Sequence, residues 1–189
     1  MKPIFSIHIG EYLVGNYLEK KFKKCNLWIP SKDTGIDFLM TNSDNTRNVS
    51  FQVKYSKDFL PEMEAFHQDK LDACGWWTLN AEKIKNSSAN FWIFAPFCFK
   101  KRNVDSLVII DPNVLSTRLE AIHSKPKSLQ IYFWIKGKQC WETRGLRKDQ
   151  QEQISNNSYR PQDEMSKLRD FSSYLNQWDG IKSKLGFKQ

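Results

Sequence analysis

Residues 49–56 read VSFQVKYS. Apolar and polar side chains alternate along this segment, as expected of a strand with one buried face, and the polar side includes Gln52 and Lys54. Residues 36–41, with the sequence IDFLMT, form a second apolar segment. The run NSDNTRN at 42–48 separates the two and consists of turn formers. Two strand-like segments joined by a polar turn predict a β-hairpin.

Helices and further strands are predicted on both sides of this hairpin. A helix is expected at 10–25, because its apolar residues recur at helical spacing, and a short extended segment at 26–30. The segments expected after the hairpin are a mixed insert at 57–88 with a short helix at 80–86, buried strands at 91–97, 107–110 and 131–135, a helix from Asp111-Pro112 to Ile122, a polar tail at 142–162 and a final helix at 163–178.

This order of elements predicts an α/β fold with a mixed central β-sheet flanked by helices. The sheet and its helices are expected within residues 1–140. Residues 141–189 are expected to form a C-terminal polar segment and a helix that pack on this domain or extend it.

The composition limits the class of protein. The chain has 189 residues, of which 40% are hydrophobic, so it can bury a sizeable core. It carries 29 Lys and Arg against 21 Asp and Glu, a formal charge of +8, which favours polyanions such as nucleic acid. A basic surface that only keeps the protein soluble is the open alternative. The residues predicted to contact phosphates are Lys57, Lys100, Lys101, Arg102, Arg144, Arg147 and Lys148.

The cysteines and the apolar runs bear on location. Cys25, Cys74, Cys98 and Cys140 are far apart, so a CxxC metal or redox motif is absent from the sequence. The N-terminal residues do not resemble a signal peptide, and the apolar runs are shorter than the roughly 20 residues of a membrane helix. We therefore expect a reduced, cytoplasmic protein without a membrane partner.

Three polar groups are expected to converge at the hairpin. Asp37 lies in an apolar strand, where an ionised carboxylate is costly unless it is paired, exposed at a cleft or bound to a metal. If the strands pair about the turn, Gln52 and Lys54 can face Asp37. A carboxylate and amide or carbonyl oxygens are hard ligands suited to Mg²⁺, and the carbonyl of Val53 is a further candidate. Glu11, on the predicted inward face of the first helix, can add a second carboxylate.

Together, the segments GEYLVG at 10–15, DTGIDFL at 33–39 and FQVKYS at 51–56 resemble the PD-(D/E)XK nuclease superfamily. They look closest to the branch, including Mrr-like restriction enzymes, in which glutamine replaces the acidic residue of the last motif. No proline precedes Asp37, as in other divergent members. The resemblance covers about residues 10–56.

The resemblance implies a restriction endonuclease-like fold, a divalent metal and DNA cleavage. By position, Asp37 matches the metal-binding aspartate and Lys54 the catalytic lysine. Gln52 matches the substituted acidic position, and Glu11 matches a glutamate on a helix in some branches. The metal ligands implied are Asp37, Gln52, Val53 and Glu11.

The expected function is that of a Mg²⁺-dependent DNA endonuclease, with Mn²⁺ able to substitute, that cuts double-stranded DNA in restriction, defence or repair. A homodimer is expected because one site per chain must cut two strands. Because Gln52 is uncharged, a catalytically inactive DNA-binding protein of the same fold is an alternative, and a protein-binding scaffold is another. The pairs Trp76-Trp77 and Phe91-Trp92 could stack on nucleobases, although core packing is the commoner use of such aromatics.

Overall fold

Residues 8–32, 34–98, 100–124 and 128–187 are described by the computed structural model, and within them the chain forms seven α-helices and eight β-strands. The helices are α1 (Ile9–Lys21), α2 (Ala65–Gln68), α3 (Ala81–Lys85), α4 (Pro112–His123), α5 (Lys148–Ser155), α6 (Glu164–Lys167) and α7 (Asp179–Leu185). The strands are β1 (Cys25–Trp28), β2 (Phe38–Asn42), β3 (Asn48–Ser56), β4 (Ala73–Asn80), β5 (Phe91–Pro96), β6 (Val108–Ile110), β7 (Ser128–Lys136) and β8 (Gln139–Glu142).

The strands form two sheets, and the α/β class predicted from the sequence is confirmed. The first sheet has the order β1-β2-β3-β5-β6. It is mixed, because β3 and β5 run parallel while its other neighbours are antiparallel. The second sheet has the order β4-β7-β8 and is antiparallel. A single central sheet was expected, but the insert at 57–88 contributes β4, which pairs with β7 instead of joining the first sheet.

Three layers of apolar contact hold these sheets. One face of the first sheet packs against α1 and α7, through residues such as Val14, Phe51 and Ile181. The other face packs against the second sheet, where Phe94 meets Phe133 edge-on at 5.3 Å between ring centres. The outer face of the second sheet is covered by α5 and by part of the 57–72 segment. The central sheet is therefore buried on both faces, which explains the unbroken apolar run of β5.

The predicted hairpin is confirmed, with β2 and β3 antiparallel and Phe38 opposite Phe51. The helix predicted at 112–122 is also confirmed. It begins after Asp111, whose carboxylate accepts hydrogen bonds from the backbone of Asn113 and Val114. No helix in the described part of the chain is long and apolar enough to cross a membrane.

The C-terminal region departs from the single helix predicted at 163–178. The structure has α6, a 3₁₀ turn at Ser172–Tyr174 and α7, with a turn at 168–169 directly after α6. Asp170 follows this turn and forms an isolated β-bridge with Trp141 of β8. The backbone pairing of Asp170 with Trp141 overrides the local helix propensity here. Strand β8 spans residues 139–142, and α7 packs in the same core as α1.

The start of α1 is fixed by a close approach to β3. A Cβ atom added to Gly10 would lie 2.1 Å from the Cβ of Tyr55. Gly10 is buried, and the absence of a side chain lets the helix rest directly on the strand. This contact places the first turn of α1 beside the end of β3 where Lys54 lies.

We predict that Gly10→Ala lowers the free energy of unfolding by about 1–3 kcal/mol, because α1 must move away from Tyr55. Gly15→Ala in the same helix is the matched control, since its added Cβ would meet the end of the Phe38 ring at 3.1 Å and a methyl group of Leu27 at 3.5 Å, without a severe overlap. Urea denaturation measures both changes. Equal losses for the two variants would contradict the close approach.

A second prediction concerns the fully buried carboxylate of Glu142, which is paired with the guanidinium of Arg169. Arg169→Met should lower the free energy of unfolding by about 3–5 kcal/mol, because a buried charge loses its main partner. Combining it with Glu142→Gln should cost less than the sum of the single changes. A double-mutant cycle in urea measures the coupling, and strict additivity would show that the pair does not interact.

Candidate active site

A cavity of about 1280 Å³ opens between the start of α1, the β2–β3 hairpin, the edge strand β4 and the region around α3. The residues predicted from the sequence for catalysis or metal binding all line it: Glu11, Asp37, Gln52, Val53 and Lys54. They come from three separate parts of the chain. The fold therefore brings them to one concave surface.

Asp37 is half-buried immediately before β2, and two hydrogen bonds hold it against β3. Its backbone N–H donates to the carbonyl of Phe51 at 2.8 Å. Its carboxylate oxygen Oδ2 accepts from the backbone N–H of Val53 at 2.7 Å. These bonds lie on either side of Gln52, so Asp37 is fixed next to the glutamine. A backbone donor to a carboxylate stabilises the ionised form.

The carbonyl of Val53 points to the same side of β3 as its N–H. In an extended strand, the N–H and C=O of one residue share a direction. Because the N–H of Val53 meets Asp37, its carbonyl oxygen also points away from β5 and towards the side of Asp37. The Val53 carbonyl thus lies on the same side of β3 as the Asp37 carboxylate.

Lys54 shares a face of β3 with Gln52 and is held by two tryptophans. Its ammonium lies 4.9 Å from the centre of the Trp92 ring, a cation–π distance. Its backbone carbonyl accepts a hydrogen bond of 2.9 Å from the indole N–H of Trp77. Both rings are buried, with exposed fractions of 1% and 5%. Two buried side chains therefore hold the backbone and the ammonium group of Lys54 in place.

Glu11 lies in the first turn of α1 and is half-buried. Its carboxylate accepts a hydrogen bond of 3.4 Å from the backbone N–H of His8, so it also caps the helix. A carboxylate in the first turn of a helix is also stabilised by the partial positive charge of the helix dipole at that end, whether or not it has a further role. The Gly10 contact with Tyr55 nevertheless places this carboxylate at the cavity shared with Lys54.

The oxygen donors of the cavity suit a hard divalent cation. Within the described ranges, no group of three His, Cys, Asp or Glu side chains could hold a metal ion. The donors that line the cavity are instead the carboxylates of Asp37 and Glu11, the amide of Gln52 and the carbonyl of Val53. Oxygen-only sets that mix carboxylates with neutral oxygens and leave room for water fit Mg²⁺.

Charges of both signs line the cavity. Glu11, Asp37 and Glu82 contribute carboxylates, while Lys54 and Lys83 contribute ammonium groups. A surface with both signs can neutralise a cation and attract an anion at adjacent points.

Tyr55 also lines the cavity, next to Lys54. Burial, and to a lesser degree the carboxylate of Asp58, raises the pKa of its phenol above the ordinary value. Tyr55 therefore remains neutral at physiological pH.

The basic residues predicted to contact phosphates lie elsewhere on the surface. All seven are exposed and fall outside the described residues that line the cavity. Four form ion pairs, Lys57 with Glu62, Lys101 with Asp105, Arg147 with Asp149 and Lys148 with Glu64. Lys100 and Arg144 donate to the carbonyls of Gln68 and Gln130, and Arg102 has a positive φ of 53°. The structure therefore does not bring these residues together with the cavity.

Thr78, Leu79 and Asn80 of β4 and Lys83 line the cavity without having been predicted for the site, and Trp76 and Trp77, which were considered only for base stacking, line it as well. The sequence carried one signal for this strand. From Trp77 onward, apolar Trp77 and Leu79 alternate with polar Thr78 and Asn80, which is typical of a half-buried strand. Trp77 is indeed buried, whereas Trp76 is exposed.

No protein-family model matches this sequence, and no curated protein or solved structure shows significant similarity to it.

Proposed function

We propose that this protein is a divalent-metal-dependent DNA endonuclease with a restriction endonuclease-like fold of the PD-(D/E)XK superfamily. The observation that carries the proposal is that Glu11, Asp37, Gln52 and Lys54, which come from three separate segments of the chain, line one cavity. The mixed first sheet, with α1 and α7 on one face, is consistent with the fold implied by the sequence motifs.

The proposed roles follow from the chemistry of each group. Asp37 and Glu11 would hold Mg²⁺ or Mn²⁺ together with the oxygens of Gln52 and Val53. When bound, such a cation polarises the phosphodiester and lowers the pKa of a coordinated water. Lys54 would stabilise the negative charge that grows on the phosphate oxygens during attack. The ring of Trp92 beneath its ammonium limits the motion of that charge before the substrate arrives.

DNA as the substrate is supported by charge. The surplus of basic residues gives +8 at neutral pH, which attracts a polyanion over long distances. The cavity volume of about 1280 Å³ exceeds the roughly 300–1000 Å³ of most small-molecule sites, so it has room for a segment of a polymer. Cutting both strands of a duplex would require two chains, which is why we propose a homodimer.

The identity of Gln52 supports a second candidate function, that of a DNA-binding protein of the same fold without cleavage. A neutral amide replaces a carboxylate in the donor set, and this weakens the attraction for a divalent cation. Retention of DNA binding without hydrolysis in Mg²⁺ or Mn²⁺ would favour this second function.

The proposal predicts that the wild-type protein nicks or linearises plasmid DNA in Mg²⁺ or Mn²⁺. Asp37→Asn and Lys54→Met should each reduce the cleavage rate by at least about 100-fold, because each removes a charge needed in the transition state. Asparagine retains an oxygen that can accept from the Val53 N–H, so the hairpin should survive the first change.

Matched controls for these variants lie outside the cavity. Asp44→Asn changes an exposed aspartate in the turn of the same hairpin, and Lys85→Met changes an exposed lysine on α3. Both should cut DNA at the wild-type rate. Cleavage by Asp37→Asn equal to that of Asp44→Asn would refute the proposed site.

A further prediction concerns the metal requirement. Gln52→Glu adds a carboxylate to the donor set and should lower the Mg²⁺ concentration for half-maximal cleavage by about tenfold, equivalent to roughly 1.4 kcal/mol of additional attraction. A titration of the cleavage rate with Mg²⁺ measures this. If the wild type is inactive and Gln52→Glu cuts DNA, the uncharged glutamine is the cause of the inactivity.

A further inference from the structure

The edge strand β4 forms one wall of the cavity. It is the outermost strand of the second sheet, with β7 on one side. Five consecutive residues, Trp76 to Asn80, line the cavity. Successive side chains of a strand point to opposite faces of the sheet, yet odd-numbered and even-numbered residues both line the cavity. The cavity therefore meets the backbone edge of β4 as well as its side chains.

The direction of the backbone groups along this edge can be worked out from two hydrogen bonds. The N–H of Trp76 donates to the hydroxyl of Ser56 at 3.0 Å, and the carbonyl of Cys74 accepts from the N–H of Phe59 at 3.4 Å. Both partners lie on the side away from β7. Backbone groups of alternate residues share a direction in an antiparallel strand, so the N–H and C=O of Thr78 also point outward, into the cavity.

Trp76 offers an accessible aromatic surface on the same edge. Its exposed fraction is 36%, whereas Trp77 and Trp92 are buried. The indole stacks on Tyr132 at 5.9 Å between ring centres with an angle of 7°, and it meets Phe59 edge-on at 5.5 Å. These contacts hold the ring in place. A preorganised aromatic ring loses little conformational freedom when a ligand stacks on it.

We propose that the edge of β4 binds an unpaired nucleic-acid strand. A base would stack on Trp76, and a phosphate oxygen would accept a hydrogen bond from the backbone N–H of Thr78. This inference rests on the proposed nuclease function, and it deepens that function by naming the substrate class. The strand would run along β4 towards Asp37 and Lys54, which line the same cavity. The substrate is then a duplex with unpaired nucleotides next to the bond that is cut, or a single strand, which one chain can cut alone.

The physical argument for an unpaired base is that both faces of a base inside a duplex are covered by its neighbours. An aromatic side chain therefore stacks on a base at the lowest cost where the strand is single or the nucleotide is flipped out. A backbone N–H can bind a phosphate oxygen whatever the base sequence. Together, the stacked ring and the N–H therefore select for an unpaired strand and not for particular bases. Over the whole chain, the net charge of +8 favours a nucleic acid over a neutral extended peptide as the partner.

The test measures binding and cleavage separately. Fluorescence anisotropy in EDTA gives the affinity of the full chain for a labelled 12-nucleotide oligo(dT), the matching oligo(U) and a fully paired DNA hairpin. Trp76→Ala should weaken binding of the single strands by at least about fivefold, the lower end of the effect of one stacked base, and Trp76→Phe should retain most of it. Trp28→Ala is the matched control, because Trp28 is 51% exposed and lies outside the residues that line the cavity.

A second pair of variants tests the backbone donor. Thr78→Pro removes the outward N–H without removing a hydrogen bond to β7, and proline is tolerated at such a position of an edge strand. It should weaken binding of the single strands, while Thr78→Val, which keeps the N–H, should bind as the wild type does. Circular dichroism melting of each variant separates a loss of contact from a loss of fold.

The outcomes distinguish this inference from the nuclease proposal. Equal affinities of Trp76→Ala, Trp28→Ala and the wild type for every oligonucleotide would overturn the inference, even if plasmid cleavage by the wild type succeeds. Tighter binding of the paired hairpin than of oligo(dT) would overturn it as well. Binding of single strands that depends on Trp76 and Thr78, without cleavage of any substrate in Mg²⁺ or Mn²⁺, would support the binding site and reject the nuclease activity. A preference between oligo(dT) and oligo(U) identifies the strand as DNA or RNA.

Discussion

The hydrogen bond from the Val53 N–H to the Asp37 carboxylate, at 2.7 Å, is the contact on which the rest of the structure most depends. It joins the start of β2 to the middle of β3 and helps to fix the register of the hairpin. A slip of one residue would turn Gln52 and Lys54 towards the core around α1 and would turn Phe51 and Val53 towards the cavity. The core and the candidate site therefore require the same register of β2 and β3. The Asp37 carboxylate helps to hold that register and also lines the cavity.

The cavity exists because the second sheet does not extend the first. Strand β4 pairs with β7 and contacts β3 through the hydroxyl of Ser56 and the indole of Trp77. The two sheets share an apolar interface, and the cavity, which is lined largely by polar groups, lies between residues of β3 and β4. Two tryptophans at this boundary have a double role. Trp92 and Trp77 fill the core, and they also contact Lys54 of the candidate site.

The sequence was most informative where structure depends on local patterns. Alternation along β3, helical spacing in α1 and the Asp111 cap of α4 can each be recognised within a few residues. The pattern of Asp37, Gln52 and Lys54 was likewise predictable, because a hairpin brings near neighbours in sequence together. The β-bridge of Asp170 and the pairing of β4 with β7 depend on partners about 30 and about 55 residues away, which no local propensity can report. The place of Thr78 in the cavity wall was missed for the same reason, whereas Trp76 was considered for base stacking without its position in the fold.

The close approach of Gly10 to Tyr55 has a consequence for how this protein can vary. Because the space between α1 and β3 is shared, the volumes of the side chains at these two positions are not independent. A methyl group at position 10 can be accommodated only if position 55 becomes smaller or the helix shifts, and a shift would carry Glu11 away from Lys54. In related sequences, residue size at position 10 should therefore vary inversely with residue size at position 55. A chain that breaks this relation should also have lost the need for a glutamate at position 11.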